Sequence, residues 1–203
     1  TSINENCQFP KFDFTQPAFS KEAKNLAGKL KKMKAKDIME LMHVSKDIAE
    51  LNVNRNKSWY LSPEPTEDVR PAVFLFTGEV YKGLEAESLS EKELEKAQKD
   101  LRILSGMYGL LKPMDLIHPY RLEMGTKLKV EKKENLYQFW GNTITEKLNL
   151  ELADNELFIN LASAEYFKAV KPALLKVPVI TPVFKDFKDG KLKVIAFFAK
   201  KAR

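Results

Sequence analysis

Two glycines three residues apart, Gly106 and Gly109, lie within residues 101–125, LRILSGMYGLLKPMDLIHPYRLEMG. Upstream, Ser90 and Glu93 form a Ser-x-x-Glu capping box, opening a helical run in which Leu94, Ala97, Leu101 and Leu104 recur on one face. Gly106 can take the left-handed conformation that closes a helix, and Gly109 frees the backbone at the next helix start. Pro113 and Pro119 confine the downstream chain to short pieces. The spacing predicts a helix-hairpin-helix turn with outward-facing backbone N–H groups. Such a turn suits a phosphate oxygen, and Lys112 and Arg121 add charge. A plain helix corner, with Met107 and Leu110 plugging the core, uses the same residues.

Other chemistry is weaker at the level of motifs. Gly78 and Gly83 have P-loop spacing, but Leu84 stands where the phosphate-binding lysine belongs. Tyr166 lacks the lysine of a Tyr-x-x-x-Lys dyad, since Val170 stands at that distance. Ser163 and Glu165 lie at a strand-to-helix junction without a Gly-x-Ser-x-Gly elbow, so helix capping is the expected role. Glu85 and Glu87 read as solvent-exposed acids rather than an acid–base pair. These patterns point to no catalytic residues and no cofactor.

The 203 residues, 44% hydrophobic, suffice for one domain with a sizeable core. No apolar run reaches membrane-spanning length, and the first residues, TSINENCQFP, lack the regions of a signal peptide. A cytoplasmic location is expected. Cys7 is the single cysteine, and the histidines, His43 and His118, are far apart, which speaks against zinc or iron binding. The 34 basic and 28 acidic residues give a net charge of +6, favouring anionic partners. Lysine dominates; Arg55, Arg70, Arg102, Arg121 and Arg203 are the arginines, so a DNA complex would rest on backbone contacts rather than base reading.

Residues 1–19, with Phe9, Pro10, Phe12, Phe14, Pro17 and Phe19, read as an extended arm laid across the core. Amphipathic stripes from Ser20, through Leu26, Leu30 and Met33, then Ile38, Leu41 and Met42, then Ile48 and Leu51 after the cap Ser45, predict a helical first quarter. The lysines Lys29, Lys31, Lys32, Lys34 and Lys36 fall mostly on its solvent side and suggest no role. The run 72–76, AVFLF, predicts a buried central strand, residues 136–153 a helix, and 157–159 a second buried strand leading into a helix AEYFKAV. Residues 178–187 and 191–200 predict a β-hairpin around Asp189-Gly190. The alternation implies an α/β fold, a single domain with a mixed sheet flanked by helices. Lys168, Lys171, Lys200, Lys201 and Arg203 recur near junctions and strand ends, where they could line a positive cleft with Lys112 and Arg121.

Taken together, residues 101–125, 136–149 (LYQFWGNTITEKLN), 158–172 (FINLASAEYFKAVKP) and 183–203 (VFKDFKDGKLKVIAFFAKKAR) resemble the YaaA family of bacterial peroxide-stress proteins, in order and spacing over essentially the whole chain. The resemblance implies a cytoplasmic single-domain α/β protein of unusual topology that limits iron-dependent oxidative damage to DNA during hydrogen peroxide stress. It also implies double-stranded DNA binding through a helix-hairpin-helix element and a positive cleft, the element falling on Leu104 to Leu110. Two departures are expected: the family's first apolar strand and its segment beyond Arg203 are not in this sequence. The resulting expectation is a DNA-backbone binder, for double-stranded or branched DNA, with no chemistry of its own. In it Gly106, Met107, Tyr108 and Gly109 hold one phosphate and Tyr108 stacks on a base, while Lys112, Arg121, Lys168, Lys171, Lys200, Lys201 and Arg203 neutralise others. The alternative is an enzyme acting on a small anionic metabolite in the same basic cleft.

Overall fold

The computed structural model describes residues 2–188 and 190–203. Its first quarter is helical: α1 (Ser20–Leu30), α2 (Ala35–Met42) and α3 (Lys46–Ser58). α1 buries Ala23, Leu26, Ala27 and Leu30 along one stripe, and α2 and α3 pack together. Ser45 caps α3, its hydroxyl accepting from Ile48 N. At α1 the cap position belongs to Phe19, while the Ser20 hydroxyl donates to Pro17 O at 2.7 Å.

Residues 2–19 form the expected extended arm. Asn4 N donates to Leu75 O, Thr15 N to Met114 O, and Leu116 N to Thr15 O. A polar relay fixes the arm: Gln98 Nε2 donates to Thr15 Oγ1, which donates to Asp115 Oδ1 at 2.6 Å, and Asp115 Oδ2 accepts from Lys112 N. Burial raises the Asp115 carboxyl above its ordinary range against these hydrogen bonds.

Next come β1 (Arg70–Pro71), α4 (Ala72–Leu75) and α5 (Glu79–Leu84), then α6 (Glu91–Asp100), opened by the Ser90–Glu93 capping box. The run 72–76 is therefore not a central strand. Its Ala72–Leu75 portion forms one buried helical turn, closed by Phe76 N to Ala72 O and held by Val73 N to Pro113 O. A short apolar run buried on all sides carries no periodicity by which helix and strand could be told apart.

α6 ends at Asp100, with Leu101 already extended. Beyond it lie β2 (Ile103–Ser105), β3 (Gly109–Leu111) and β4 (Leu116–Ile117). Then α7 (Leu136–Trp140) and α8 (Thr143–Glu151) replace the single helix expected over 136–153; Gly141, at φ +51°, breaks it. The remainder comprises β5 (Phe158–Ile159), α9 (Ala164–Phe167), β6 (Val179–Ile180), β7 (Asp186–Lys188), β8 (Lys191–Lys193) and α10 (Ala196–Ala202).

Strands pair two by two: β1 with β4, β2 with β3 and β7 with β8 antiparallel, β5 with β6 parallel. An α/β domain results, with helices joined by small two-stranded ribbons among the described residues instead of one mixed sheet. A β7–β8 hairpin forms where expected, its Asp189 outside the described residues, but both arms are shorter than expected: within 178–187 Val179–Ile180 pair with β5 instead, and the segment after Lys193 turns helical rather than continuing to Lys200 as strand. One continuous core runs from Cys7 to Val170 and includes Leu26, Leu75, Met107, Tyr108, Met114 and Trp140. Among the described residues, no helix is long and apolar enough to cross a membrane.

His118, 2% exposed, sets a pH dependence. Its Nδ1 lies 3.0 Å from Pro119 O and its Nε2 3.5 Å from Ser58 Oγ. Burial holds the imidazole below its ordinary value of 6.5. Because the unfolded chain then binds the proton first, stability is full above about pH 6.5 and falls as the pH drops toward the folded-state value, at no more than about 1.4 kcal/mol per pH unit. Urea midpoints at several pH values between about 7.5 and 5 should show this decline in the wild type and a shallower one in His118→Gln.

Candidate nucleic-acid interface

The glycine pair does not make a helix-hairpin-helix turn. Ser105 pairs with Gly109 across a three-residue loop, so residues 103–111 form a tight β-hairpin, with Gly109 at φ +68° in the left-handed position such loops need. The turn is also inside the protein. Met107 and Tyr108 have 0% of their surface exposed, and Gly106 and Gly109 are buried. Tyr108 N donates to Ser105 Oγ at 2.9 Å and Leu110 N to Tyr108 O. The turn therefore offers neither an open phosphate cradle nor, at Tyr108, a free ring face for a base. This corrects the expected role of Gly106, Met107, Tyr108 and Gly109.

What the turn does is support its neighbours. A Cβ on Gly106 would stand 2.2 Å from Leu122 O, and one on Gly109 2.8 Å from the Trp140 ring. Trp140 Nε1 donates to Gly106 O at 3.1 Å. The segment Tyr120–Gly125, which carries Arg121, is thereby seated directly on the hairpin. Tyr120 lies behind it, its hydroxyl 2.6 Å from Ser105 Oγ and its ring 5.3 Å from that of Tyr108.

α9 packs against β2 and closes the other side. Glu165 Oε1 accepts from Gly125 N at 2.9 Å, and Glu165 O accepts from the Tyr137 hydroxyl at 2.9 Å. Lys168 Nζ then sits 4.9 Å from the centre of the Tyr137 ring, a cation–π contact that holds an exposed ammonium in place. Lys171, one turn on, is anchored through its backbone, N to Thr145 Oγ1 at 2.9 Å. Arg121 leans on Glu123, with Nη2 to Oε1 at 3.2 Å. The structure thus joins the segment bearing Arg121 to α9 with Lys168 and Lys171 through Glu165 and Tyr137. Ser163 holds the cap position of α9 by its carbonyl, which accepts from Phe167 N.

Lys200, Lys201 and Arg203 belong to α10 and its end. This helix packs against α5 so closely that a Cβ on Gly83 would stand 2.6 Å from Lys201 O. α5 contributes Tyr81, whose ring lies 5.2 Å from Phe76, with Phe76 6.2 Å from Tyr120. Burial raises the Tyr81 and Tyr120 phenols well above their ordinary value, and Tyr166 of α9 pushes both further. Two neutral phenols, Tyr81 of α5 and Tyr120, therefore lie on either side of Phe76, and Tyr166 of α9 is near enough to act on both. Lys112 lies apart from these links, half-buried beside Asp115.

Glu165, Tyr81, Tyr120 and Tyr137 were not legible as a group. They come from segments up to 84 positions apart, and the signal available, tyrosines within the glycine-rich and AEYFKAV blocks, gives no partner.

Comparison with known proteins decides the family. The family model described as peroxide stress protein YaaA matches residues 2–203. The chain belongs to the YaaA family. It is 53% identical over 202 residues to a UPF0246 protein of Flavobacterium psychrophilum, covering 100% of this chain and 80% of that relative. To a UPF0246 protein of Aliivibrio fischeri strain MJ11 the identity is 55% over 204 residues, covering 100% and 78%. With a UPF0246 protein of Shewanella woodyi it is 54% over 194 residues, covering 94% and 75%. In this YaaA-family chain the four sequence blocks that carried the resemblance supply the hairpin, the Tyr120–Gly125 segment, α7, α9 and α10, the parts that carry or support the candidate cations.

Proposed function

We propose that this YaaA-family chain is a cytoplasmic peroxide-stress protein that binds double-stranded DNA through the phosphate backbone and so limits iron-dependent oxidative damage. The observation that carries the reading is the anchoring of cations on a rigid base: exposed Lys168 over Tyr137, half-buried Lys171 by its backbone and half-buried Arg121 on the hairpin, with Lys200 and Lys201 on α10 and Arg203 at its end. Preorganised cations lose less side-chain freedom on meeting phosphates, and their number sets the salt dependence. Lysine in place of arginine favours point contacts over guanine recognition. The glycine turn has a supporting place in this reading, behind Arg121.

Fluorescence anisotropy with a labelled duplex across a salt series tests it. Lys168→Glu/Lys171→Glu should lose about tenfold or more in affinity at low salt and lower the salt slope by about 2, one contact per lysine. Binding indifferent to the change, with the fold intact, would remove this face from DNA recognition.

A second reading rests on the phenols. Tyr81 and Tyr120, whose phenols burial keeps protonated, flank Phe76 with Arg121 next to Tyr120 in the chain, and such donors beside a cation also suit a small anionic metabolite. A melting-temperature rise with one small anion, and none with duplex, favours that enzyme-type reading.

A further inference from the structure

A lysine cluster lies on the helical first quarter, on elements other than those that carry Arg121 and Lys168. Lys31 and Lys32 come just after α1, Lys34 opens α2, and Lys57 ends the stripe Glu50, Val53, Asn54, Lys57 on α3. Together with Met33 and Ala35 they line an open concavity of about 340 Å³. All four lysines are exposed, and the acid lining the hollow, Glu50, is 3.7 Å from Lys46 Nζ at its edge.

Helix stability does not account for this placement. Lys34 occupies the N-cap of α2, where a short oxygen-bearing side chain is preferred, and Lys36 comes in the first turn, where the helix dipole disfavours cations. Asp37 takes over the capping, accepting from Lys34 N at 2.8 Å. A sequence that breaks a local rule on an exposed surface, and compensates beside it, marks a place selected for something other than folding.

We propose that this hollow is a second contact for the phosphate backbone of duplex DNA, which extends the footprint of the DNA-binding reading and rests on it. Exposed ammonium groups on flexible stems hold a lone phosphate poorly, whereas a run of phosphates engages them together and releases counterions. The concave form suits a projecting backbone, and the hollow lacks the exposed aromatic and large aliphatic side chains that would enter a lipid surface.

The test compares Lys32→Gln/Lys34→Gln/Lys57→Gln and its glutamate counterpart with Lys168→Glu/Lys171→Glu, using a labelled duplex long enough to span the molecule and varied salt. Lys31 is left in place because its Nζ donates to Trp59 O at 3.2 Å. The inference expects the glutamine triple to lower the salt slope by about 3 and affinity several-fold, with the glutamate triple worse and circular dichroism melts unchanged. Triples that bind like wild type while the 168/171 pair is weakened overturn this inference alone. Wild type that binds no duplex overturns the DNA reading and this inference together. Sedimentation with phosphatidylserine vesicles supplies the remaining arm: loss of vesicle binding in the triples, with duplex binding retained, assigns the hollow to a membrane and overturns the proposal.

Discussion

Gly106→Ala should destabilise the protein by about 3 kcal/mol or more, lowering the melting temperature by roughly 6–12 °C for a chain of this size. The added Cβ meets Leu122 O at 2.2 Å, Leu122 C at 3.0 Å and Glu123 C at 3.1 Å. All are backbone atoms, so no side chain can swing aside; the Tyr120–Gly125 segment must lift off the hairpin. Gly28 provides the comparison. It lies within α1 with nothing inside 4 Å of its ideal Cβ, so Gly28→Ala should stabilise by about 0.5–1 kcal/mol through helix propensity and a less flexible unfolded chain. Urea unfolding of the two variants checks the opposite signs; a Gly106→Ala midpoint equal to wild type would mean that the segment bearing Arg121 is not seated on the turn. The result also governs how DNA-binding data are read. Gly109→Val combines φ +68° with a contact 2.8 Å from Trp140, so any loss of binding in that variant must be separated from loss of the fold.

The glycines also show where sequence patterns stop. Ser90 with Glu93, Ser45, the aromatic arm and the helices of the first quarter each declare themselves within a few residues, because caps and helical periodicity are local, and the structure agrees with them except at the third stripe, where α3 buries Ala49, Asn52 and Asn56 and leaves Ile48 and Leu51 exposed. At 101–109 two local signals compete. Leu94, Ala97, Leu101 and Leu104 keep helical spacing, yet Ile103, Leu104 and Ser105 pair with Leu111, Leu110 and Gly109 through hydrogen bonds that only the folded partner supplies. Tertiary pairing wins, and the glycines serve a β-turn. The cations were legible as residues but their supports were not: Lys168 is held by Tyr137, Glu165 by Gly125 and Tyr137, and Lys201 lies against Gly83, contacts spanning 28 to 118 positions that no spacing rule reaches.

Tyr108→Phe should cost about 2–4 kcal/mol although it deletes one oxygen atom. That hydroxyl, with no exposed surface around it, accepts from Trp59 Nε1 at 2.9 Å and His118 N at 3.1 Å and lies 3.3 Å from His118 O. Phenylalanine leaves two buried N–H donors without that partner, and each orphaned donor carries a desolvation cost of about 1–3 kcal/mol. Tyr60→Phe removes an exposed hydroxyl paired with Thr66 Oγ1 and should change stability by less than about 1 kcal/mol. Adding Trp59→Phe to Tyr108→Phe removes one of the two orphans, so the double variant should be less destabilised than the sum of the singles, by about 1 kcal/mol or more in a double-mutant cycle of urea midpoints. Strict additivity would mean that the indole and the phenol do not share that bond. The bond matters beyond stability because Tyr108 fixes the backbone at His118, two residues before Tyr120 and three before Arg121. If the proposed DNA reading holds, a folded Tyr108→Phe protein should keep its duplex salt slope while binding more weakly, since the proposed phosphate contacts would persist in number while the segment carrying Arg121 is loosened.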